Sequence, residues 1–281
     1  MPDLPEIEVL RRDLEKEVVT RRIKDVEVRN TRNAMKAIRR HGRRKDFQAL
    51  LEGAKVERVD RVGRRLLFDL DNSNTLVVDL GTSGLLLKTS ASDEVVTHTH
   101  VTIGFTIGGQ LRLVDAKQSS EIYAVPTAET EGLREDIATA IDPLMHQVTW
   151  QHFSELLSDR DAAMKELLTD EKFVVGLGDI YSDEVLWSAG LRYDRSSSKL
   201  SSQDVRRLYR GLMETLQDAV RARGTSLDEA GFKDLHGDPG QYQLELKVFE
   251  CEGDACKRCR STVVKEQFNG RDTYLCAQCQ S

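Results

Sequence analysis

Long apolar runs are missing from this chain of 281 residues: no stretch approaches the ~20 apolar residues that a membrane-spanning helix requires. A positively charged, then apolar leader is missing at the N-terminus too, so secretion is not expected. Positive charge is in short supply, with 41 Lys and Arg against 47 Asp and Glu and a net charge of −6, which does not advertise a polyanion as partner. Cysteine is absent until residue 251, and all five cysteines fall in the last 31 positions. The length suffices for two domains, with room for a small extra module.

What is present is unevenly placed. Between Arg29 and Lys45 there are eight basic residues (Arg29, Arg32, Lys36, Arg39, Arg40, Arg43, Arg44 and Lys45) and no acidic one, so the remainder of the chain is more acidic than the total suggests. Taken alone, such a run fits a solvated loop as well as a polyanion-binding segment.

The chain opens Met1-Pro2-Asp3-Leu4-Pro5-Glu6. Removal of Met1 would leave Pro2 with a free secondary amine, and a chain-terminal amine titrates near neutrality, at about 7.7–8.0. A useful fraction is then unprotonated and nucleophilic. Attack on an aldehyde-type carbon gives an iminium ion, an electron sink suited to cleavage at a sugar C1′, with Asp3 and Glu6 at hand for proton transfer. The same residues also read as a helix start, with Pro5 in the first turn and acids near the positive end of the helix dipole.

Ile7, Leu10, Leu14 and Val18 recur at helical spacing and predict an amphipathic helix from Pro5 to about Val18. Arg22 to Val28 alternates as a strand, and Phe47 to Leu51 reads as a short helix ending at Gly53. Strand patterns follow at 55–62, 65–70, 75–80, 85–88, 100–107 and 110–114, with hairpin turns at Asp71-Asn72-Ser73-Asn74 and Gly108-Gly109. Many short strands with regular turns imply a β-sandwich. From about Pro126 to Val148 the composition turns polar and acidic, as in a connection between domains. Beyond it the period becomes helical, at 150–157, 162–168, 182–189 and 202–220, with Ser202 as N-cap of the last helix and Gly224 as its stop.

Entering the third of those helices is Val174-Val175-Gly176-Leu177-Gly178-Asp179-Ile180-Tyr181. Two glycines one residue apart allow close backbone approach and can aim N–H groups at a phosphate. A turn needed only for helix packing would look the same. The C-terminus is more specific. Cys256-x2-Cys259, 16 residues, then Cys276-x2-Cys279 is the spacing of a tetrahedral site for one Zn(2+) held by four thiolates. Two disulfides would demand an oxidising compartment. Cys251 is a spare thiol. Between the cysteine pairs, Ser261 to Phe268 alternates as a strand, Asn269-Gly270 makes a two-residue turn and Arg271 to Leu275 returns, placing Arg271 at a hairpin tip where it can grip a phosphate.

Together these segments resemble the formamidopyrimidine-DNA glycosylase and endonuclease VIII family, whose members begin Pro-Glu-Leu-Pro-Glu, carry a helix-two-turns-helix motif Val-Val-Gly-x-Gly-Asn-Ile-Tyr and end in such a zinc ribbon. The resemblance runs through the whole chain and takes in Gly224-Thr225-Ser226-Leu227, Asp238-Pro239-Gly240 and Leu246-Lys247-Val248-Phe249. It implies an α+β multidomain fold: an N-terminal helix plus β-sandwich (1–124), a linker (125–149), a helical domain with the helix-two-turns-helix motif (150–249) and a zinc ribbon (250–281). It also implies a base-excision repair enzyme acting as a monomer on damaged double-stranded DNA in a bacterial-type cytoplasm. The damaged nucleotide would be flipped out to Pro2, whose attack on C1′ leads to base loss and β,δ-elimination. By the same resemblance Asp3, Glu6, Arg64 and Arg271 share the chemistry with Pro2, while His98, Lys117, Arg160, Gly176, Gly178, Asp179 and Arg271 contact DNA.

The sequence departs from the family pattern in several places. Asp3 replaces a glutamate, and Arg64, in Gly63-Arg64-Arg65-Leu66-Leu67, replaces a lysine credited with proton transfer, which a guanidinium cannot perform. Asp179 replaces the motif asparagine, putting an acceptor where a phosphate wants a donor; at a helix start it would serve as a cap. The stretches that supply a Met, Arg and Phe wedge in formamidopyrimidine-type members here offer Thr82, Lys117 and Ser119. These departures keep a second reading open, a lesion-binding or lyase-only protein on the same fold.

Overall fold

The computed structural model describes residues 2–145, 148–229 and 231–281. The chain folds into two compact units, Met1–Asp136 with Arg223–Gln241, and Ile137–Ala222 with Tyr242–Ser281. No helix among the described residues is long and apolar enough to cross a membrane.

The first unit begins with helix α1 (Leu4–Val18), whose apolar stripe Ile7, Leu10, Leu14 and Val18 is fully buried. Its strands are β1 (Ile23–Val28), β2 (Val56–Val62), β3 (Arg65–Leu70), β4 (Asn74–Asp79), β5 (Leu85–Thr89), β6 (Thr99–Phe105), β7 (Gln110–Val114) and β8 (Glu121–Pro126). Among the described residues they form two four-stranded sheets, ordered β1-β6-β7-β5 and β2-β3-β4-β8, with antiparallel pairing throughout. This is the anticipated sandwich. Gly109 shows why its hairpin needs glycine: φ is +87°, and a Cβ would lie 2.5 Å from the Thr89 carbonyl oxygen.

Two features differ from the sequence reading. Strand β8 was not expected, because Glu121, Ile122, Tyr123 and Ala124 are all buried and leave no alternation to read. The basic run is folded, not a simple loop, into α2 (Arg32–Ala37) and α3 (Arg44–Leu51). Thr31 caps α2 by accepting from the Ala34 N–H, and buried Ala34, Ala37, Phe47 and Leu51 anchor the pair. Arg39 and Arg40 reach Glu121, Arg43 pairs with Asp46, and Lys36 donates to Gln118. The polar stretch after β8 holds the short helix α4 (Glu131–Glu135).

The second unit contains α5 (Trp150–Ser158), α6 (Met164–Leu168), α7 (Asp179–Ala189), α8 (Ser202–Arg221) and the hairpin of β9 (Val264–Phe268) and β10 (Arg271–Leu275). Helix α7 starts three residues before the expected position because it is buried on almost every side, polar Ser182, Asp183 and Glu184 included, which erases the amphipathic pattern. The N-cap of α8 is Ser201, not Ser202: its hydroxyl accepts from Asp204 N–H, and Asp204 accepts in return from Ser201 N–H. The helix also stops earlier than Gly224, with Ala222 as C-cap. In the ribbon, Phe268 pairs with Arg271 across Asn269-Gly270, whose φ values of +49° and +76° suit a two-residue turn.

Candidate active site and zinc ribbon

The start of α1 collects Pro2, Asp3 and Glu6 below the protein surface. Asp3 is the N-cap, and Glu6 Oε2 accepts from the Asp3 N–H at 2.9 Å in a capping box. The other Glu6 oxygen accepts from Thr225 N–H at 2.7 Å, from the segment that rejoins this unit at residue 223. A carboxylate bound by two backbone donors has one orientation. Arg64, at the β2–β3 turn, brings Nη1 to 3.6 Å from Asp3 Oδ1. Pro2 and Arg64 line one pocket together with Ile7, Asp79, Leu80 and Gly81. The helix start and the pocket lined by Pro2 therefore coincide here.

The loops bearing Thr82, Lys117 and Ser119 belong to the same unit and are tied to each other. Thr82 N–H donates to Ser119 Oγ at 2.9 Å, and Gly81, at φ +57°, has the Ser119 carbonyl oxygen 2.4 Å from where a Cβ would stand. Beneath them lies buried Asp115, which accepts from Ser83 Oγ and from the Lys117 and Ser120 N–H groups. Burial alone would raise its pKa, but the bonds from Ser83 and Ser120 outweigh that and hold the carboxyl below its ordinary value. Lys117 projects into solvent. His98 is exposed at φ +65°, and its carbonyl accepts from Asp115 N–H, so His98 stands beside this loop.

In the second unit the glycine turn enters α7. Gly176, at φ +70°, donates its N–H to Glu171 Oε2 at 3.0 Å, so this amide serves an internal carboxylate. Gly178 is the N-cap of α7 and Asp179 its first residue, which corrects the expectation that Asp179 caps the helix. Asp179 Oδ1 instead lies 3.6 Å from Arg271 Nη1 and 3.7 Å from Lys165 Nζ. Arg271 is at the exposed hairpin tip, as the Asn-Gly turn implied. Arg160 folds back onto its own unit, donating to the Leu156 and Lys172 carbonyls beside the Phe173 ring.

Lys165 escaped the sequence reading. Its ammonium is buried and donates to Asp183 Oδ1 at 2.9 Å and the Asp272 carbonyl at 3.0 Å. Burial pushes Asp183 up to about 6 against the opposing pull of Lys165. Nothing in the local pattern Met164-Lys165-Glu166-Leu167-Leu168 marks this lysine as internal; only its partner on α7 does.

Cys256, Cys259, Cys276 and Cys279 place their sulfur atoms within 4.8 Å of one another. A tetrahedral zinc with bonds of about 2.3 Å sets its sulfurs roughly 3.8 Å apart, and the pairs Cys256–Cys279 and Cys259–Cys276 are at 3.9 and 3.4 Å. Trp187 Nε1–H and the Arg258 N–H both point at Cys256 Sγ from 3.4 Å, as outer donors to a thiolate do. The four cysteines form the site of one zinc ion. Cys251 stays outside, its thiol donating to the Phe249 carbonyl.

Residues 1–122 match the family model of the formamidopyrimidine-DNA glycosylase N-terminal domain, residues 139–230 that of the formamidopyrimidine-DNA glycosylase H2TH domain, and residues 253–281 a zinc finger found in FPG and IleRS. These modules in this order define a zinc-containing, DNA-binding repair enzyme of the glycosylase class. A formamidopyrimidine-DNA glycosylase of Pelotomaculum thermopropionicum is 34% identical over 100% of this chain and 99% of its own length, and one of Enterococcus faecalis is 34% identical over 100% and 97%. Among solved structures, MutM (Fpg) of Thermus thermophilus superposes with a TM-score of 0.84 at 30% identity, covering 99% of this chain and 98% of that one. The Lactococcus lactis Fpg in complex with DNA containing an abasic site gives 0.88 at 27% identity, covering 99% of both. The chain belongs to the formamidopyrimidine-DNA glycosylase family.

Proposed function

We propose that this protein excises oxidised or ring-opened bases from damaged duplex DNA and then cleaves the abasic site by β,δ-elimination through a Schiff base on Pro2. The observation that carries this reading is the pocket shared by Pro2 and Arg64, with Asp3 and Glu6 held at the start of the same helix. With Met1 removed, the Pro2 nitrogen attacks C1′ as the glycosidic bond breaks, and the base departs with the bond pair and a proton. Opening of the C1′–O4′ bond gives the iminium ion. Its pull on electrons acidifies the C2′ hydrogen, whose loss expels the 3′ phosphate, and loss of a second proton, from C4′ of the resulting conjugated iminium, expels the 5′ phosphate. Glu6, fixed by two backbone donors, orients the terminal amine; Asp3 is the carboxylate placed for proton transfer. Arg64 supplies a fixed charge and no proton relay. In this division of labour residues 1–124, joined by the returning segment 223–241, carry the chemistry, 125–149 form the connection, and the remainder of 150–249 with 250–281 binds the duplex. His98, Lys117, Arg160, Gly176, Gly178, Asp179 and Arg271 are the DNA-side residues.

The shorter reach of Asp3 and the Arg64 guanidinium favour one competing reading, a lyase restricted to sites already stripped of their base. Borohydride trapping separates the two. A cross-link to both an abasic duplex and an oxidised-purine duplex, lost in Pro2→Gly and in protein retaining Met1, is the expected result. Trapping of the abasic duplex alone would reduce the activity to the lyase. Absence of any cross-link would remove the Pro2 mechanism.

A further inference from the structure

The cluster at the entry to α7 is close to electrically neutral, and this bears on how the hairpin arginine meets DNA. Lys165 and Arg271 bring two positive charges, and Asp183 and Asp179 bring two negative ones. Lys165 is committed to Asp183 at 2.9 Å inside the unit. Arg271 is half exposed and free to turn toward a ligand, yet Asp179 Oδ1 lies 3.6 Å from it and 3.7 Å from Lys165, and is buried without a hydrogen bond of its own. The neighbouring charges do not alter the sum, because Lys265 is paired with Asp272 at 2.6 Å. The carboxylate also stands in the first turn of α7, whose dipole favours an anion, so it occupies the electrostatic position that a phosphate would take.

We infer that Asp179 is a built-in competitor for the DNA phosphate, a positioning residue that holds Arg271 in the free protein and limits how tightly the duplex is gripped. This rests on the DNA-binding reading proposed above. A phosphate can engage Arg271 only by displacing Asp179 or by accepting its repulsion. Since Arg271 is already neutralised internally, its engagement releases little of the counterion atmosphere of DNA. Asparagine has the same shape but neither the charge nor the competition for Arg271.

The test uses the full-length, zinc-loaded chain and a duplex carrying a tetrahydrofuran abasic analogue, with affinity measured across a salt series. Asp179→Asn is expected to bind about tenfold tighter at low salt, with the log–log salt slope steeper by about 0.9, the increment for one more neutralised phosphate. In an Arg271→Ala background the same substitution is expected to change neither affinity nor slope. Zinc content and thermal midpoint are measured alongside, and Asp179→Ser serves if the asparagine variant does not fold. An unchanged slope in Asp179→Asn, or tightening that persists without Arg271, would overturn the inference while leaving the enzyme reading intact. Failure of the unaltered protein to bind the lesion duplex would overturn both.

Discussion

Glu8 is two positions from Glu6, and in the sequence it reads as one more acid at a helix start. The fold gives it a heavier task. Its carboxylate is buried and meets Arg61 at 2.8 Å, Arg61 itself being wholly enclosed, while Arg11 and Arg12 bond from the same helix. Burial works to raise the Glu8 pKa, but the bonds and charge from Arg11, Arg61 and Arg12 overcome it and the carboxyl lies below its ordinary value of 4.5. A lowered carboxyl contributes stability that is complete above the unfolded value and is lost as pH falls through the folded one. Arg61→Met, which fills the space but removes the buried cation, should therefore cost about 3 kcal/mol at pH around 7. The deficit should shrink toward about pH 4, where Glu8 in the variant takes up a proton and no longer needs a partner. Urea unfolding at the two pH values measures this, and a deficit that does not change with pH would mean that Arg61 acts through packing alone. The pairing was illegible beforehand because Glu8 and Arg61 are 53 positions apart and each looks like an ordinary surface charge on its own element.

At the scale of elements, legibility followed locality. The ribbon could be read directly because a metal site and a two-residue turn both write themselves into short spacings: two Cys-x2-Cys pairs, and Asn269-Gly270 flanked by alternating residues. The later part of α1 and strand β1 showed their periods because each has a wet face, whereas the largely buried β3, β4, β6 and β7 were legible from the turns that bound them. Strand β8 and helix α7 lack a wet face and were missed or misplaced for that reason. Helix α2 hid inside the basic run, since charge density masked the two buried alanines that seat it. The ribbon is tied to α7 by Asp183, which accepts from Thr273 Oγ1 and the Tyr274 N–H, but its own strands enclose little beyond Val263, Tyr274 and Leu275, so much of its order rests on the metal. Structural zinc contributes apparent binding energies of about 10–16 kcal/mol that appear as folding energy. Stripping zinc with a chelator should thus unfold residues near 251–281, release Arg271 from its hairpin tip and weaken lesion-duplex binding at least tenfold, by roughly 1.4 kcal/mol or more. Fluorescence anisotropy with and without added zinc reads this out; equal affinity in the metal-free protein would show that the ribbon takes no part in binding.

The site joins residues 219 positions apart, Glu6 and Thr225, and this was the least legible feature of all. After α8 the backbone returns to the first unit for residues 223–241, a stretch without periodic pattern. Arg223 secures the return by bonding Asp234 at 2.8 Å and reaching Asp13 on α1, and Thr225 then delivers its N–H to Glu6. Between them Gly224 has φ +83°, and a Cβ there would stand 2.9 Å from both Cγ and Oε1 of Glu6 and 3.2 Å from the Phe232 ring. Gly224→Ala should therefore strain the backbone by about 1–2 kcal/mol. The larger effect should fall on chemistry, because Glu6 can give way only by surrendering one of the two N–H groups that orient it. An error near an ångström in a reacting group costs on the order of 10²-fold in rate. Borohydride trapping on an abasic duplex should slow by about that factor, while affinity for the same duplex, measured without reductant, stays within about twofold of normal. Gly132→Ala is the matched control, since a Cβ there meets nothing within 4 Å and its φ is not positive. If Gly224→Ala traps at the normal rate, the bond from Thr225 does not position Glu6 for the reaction, and the returning segment serves the fold alone.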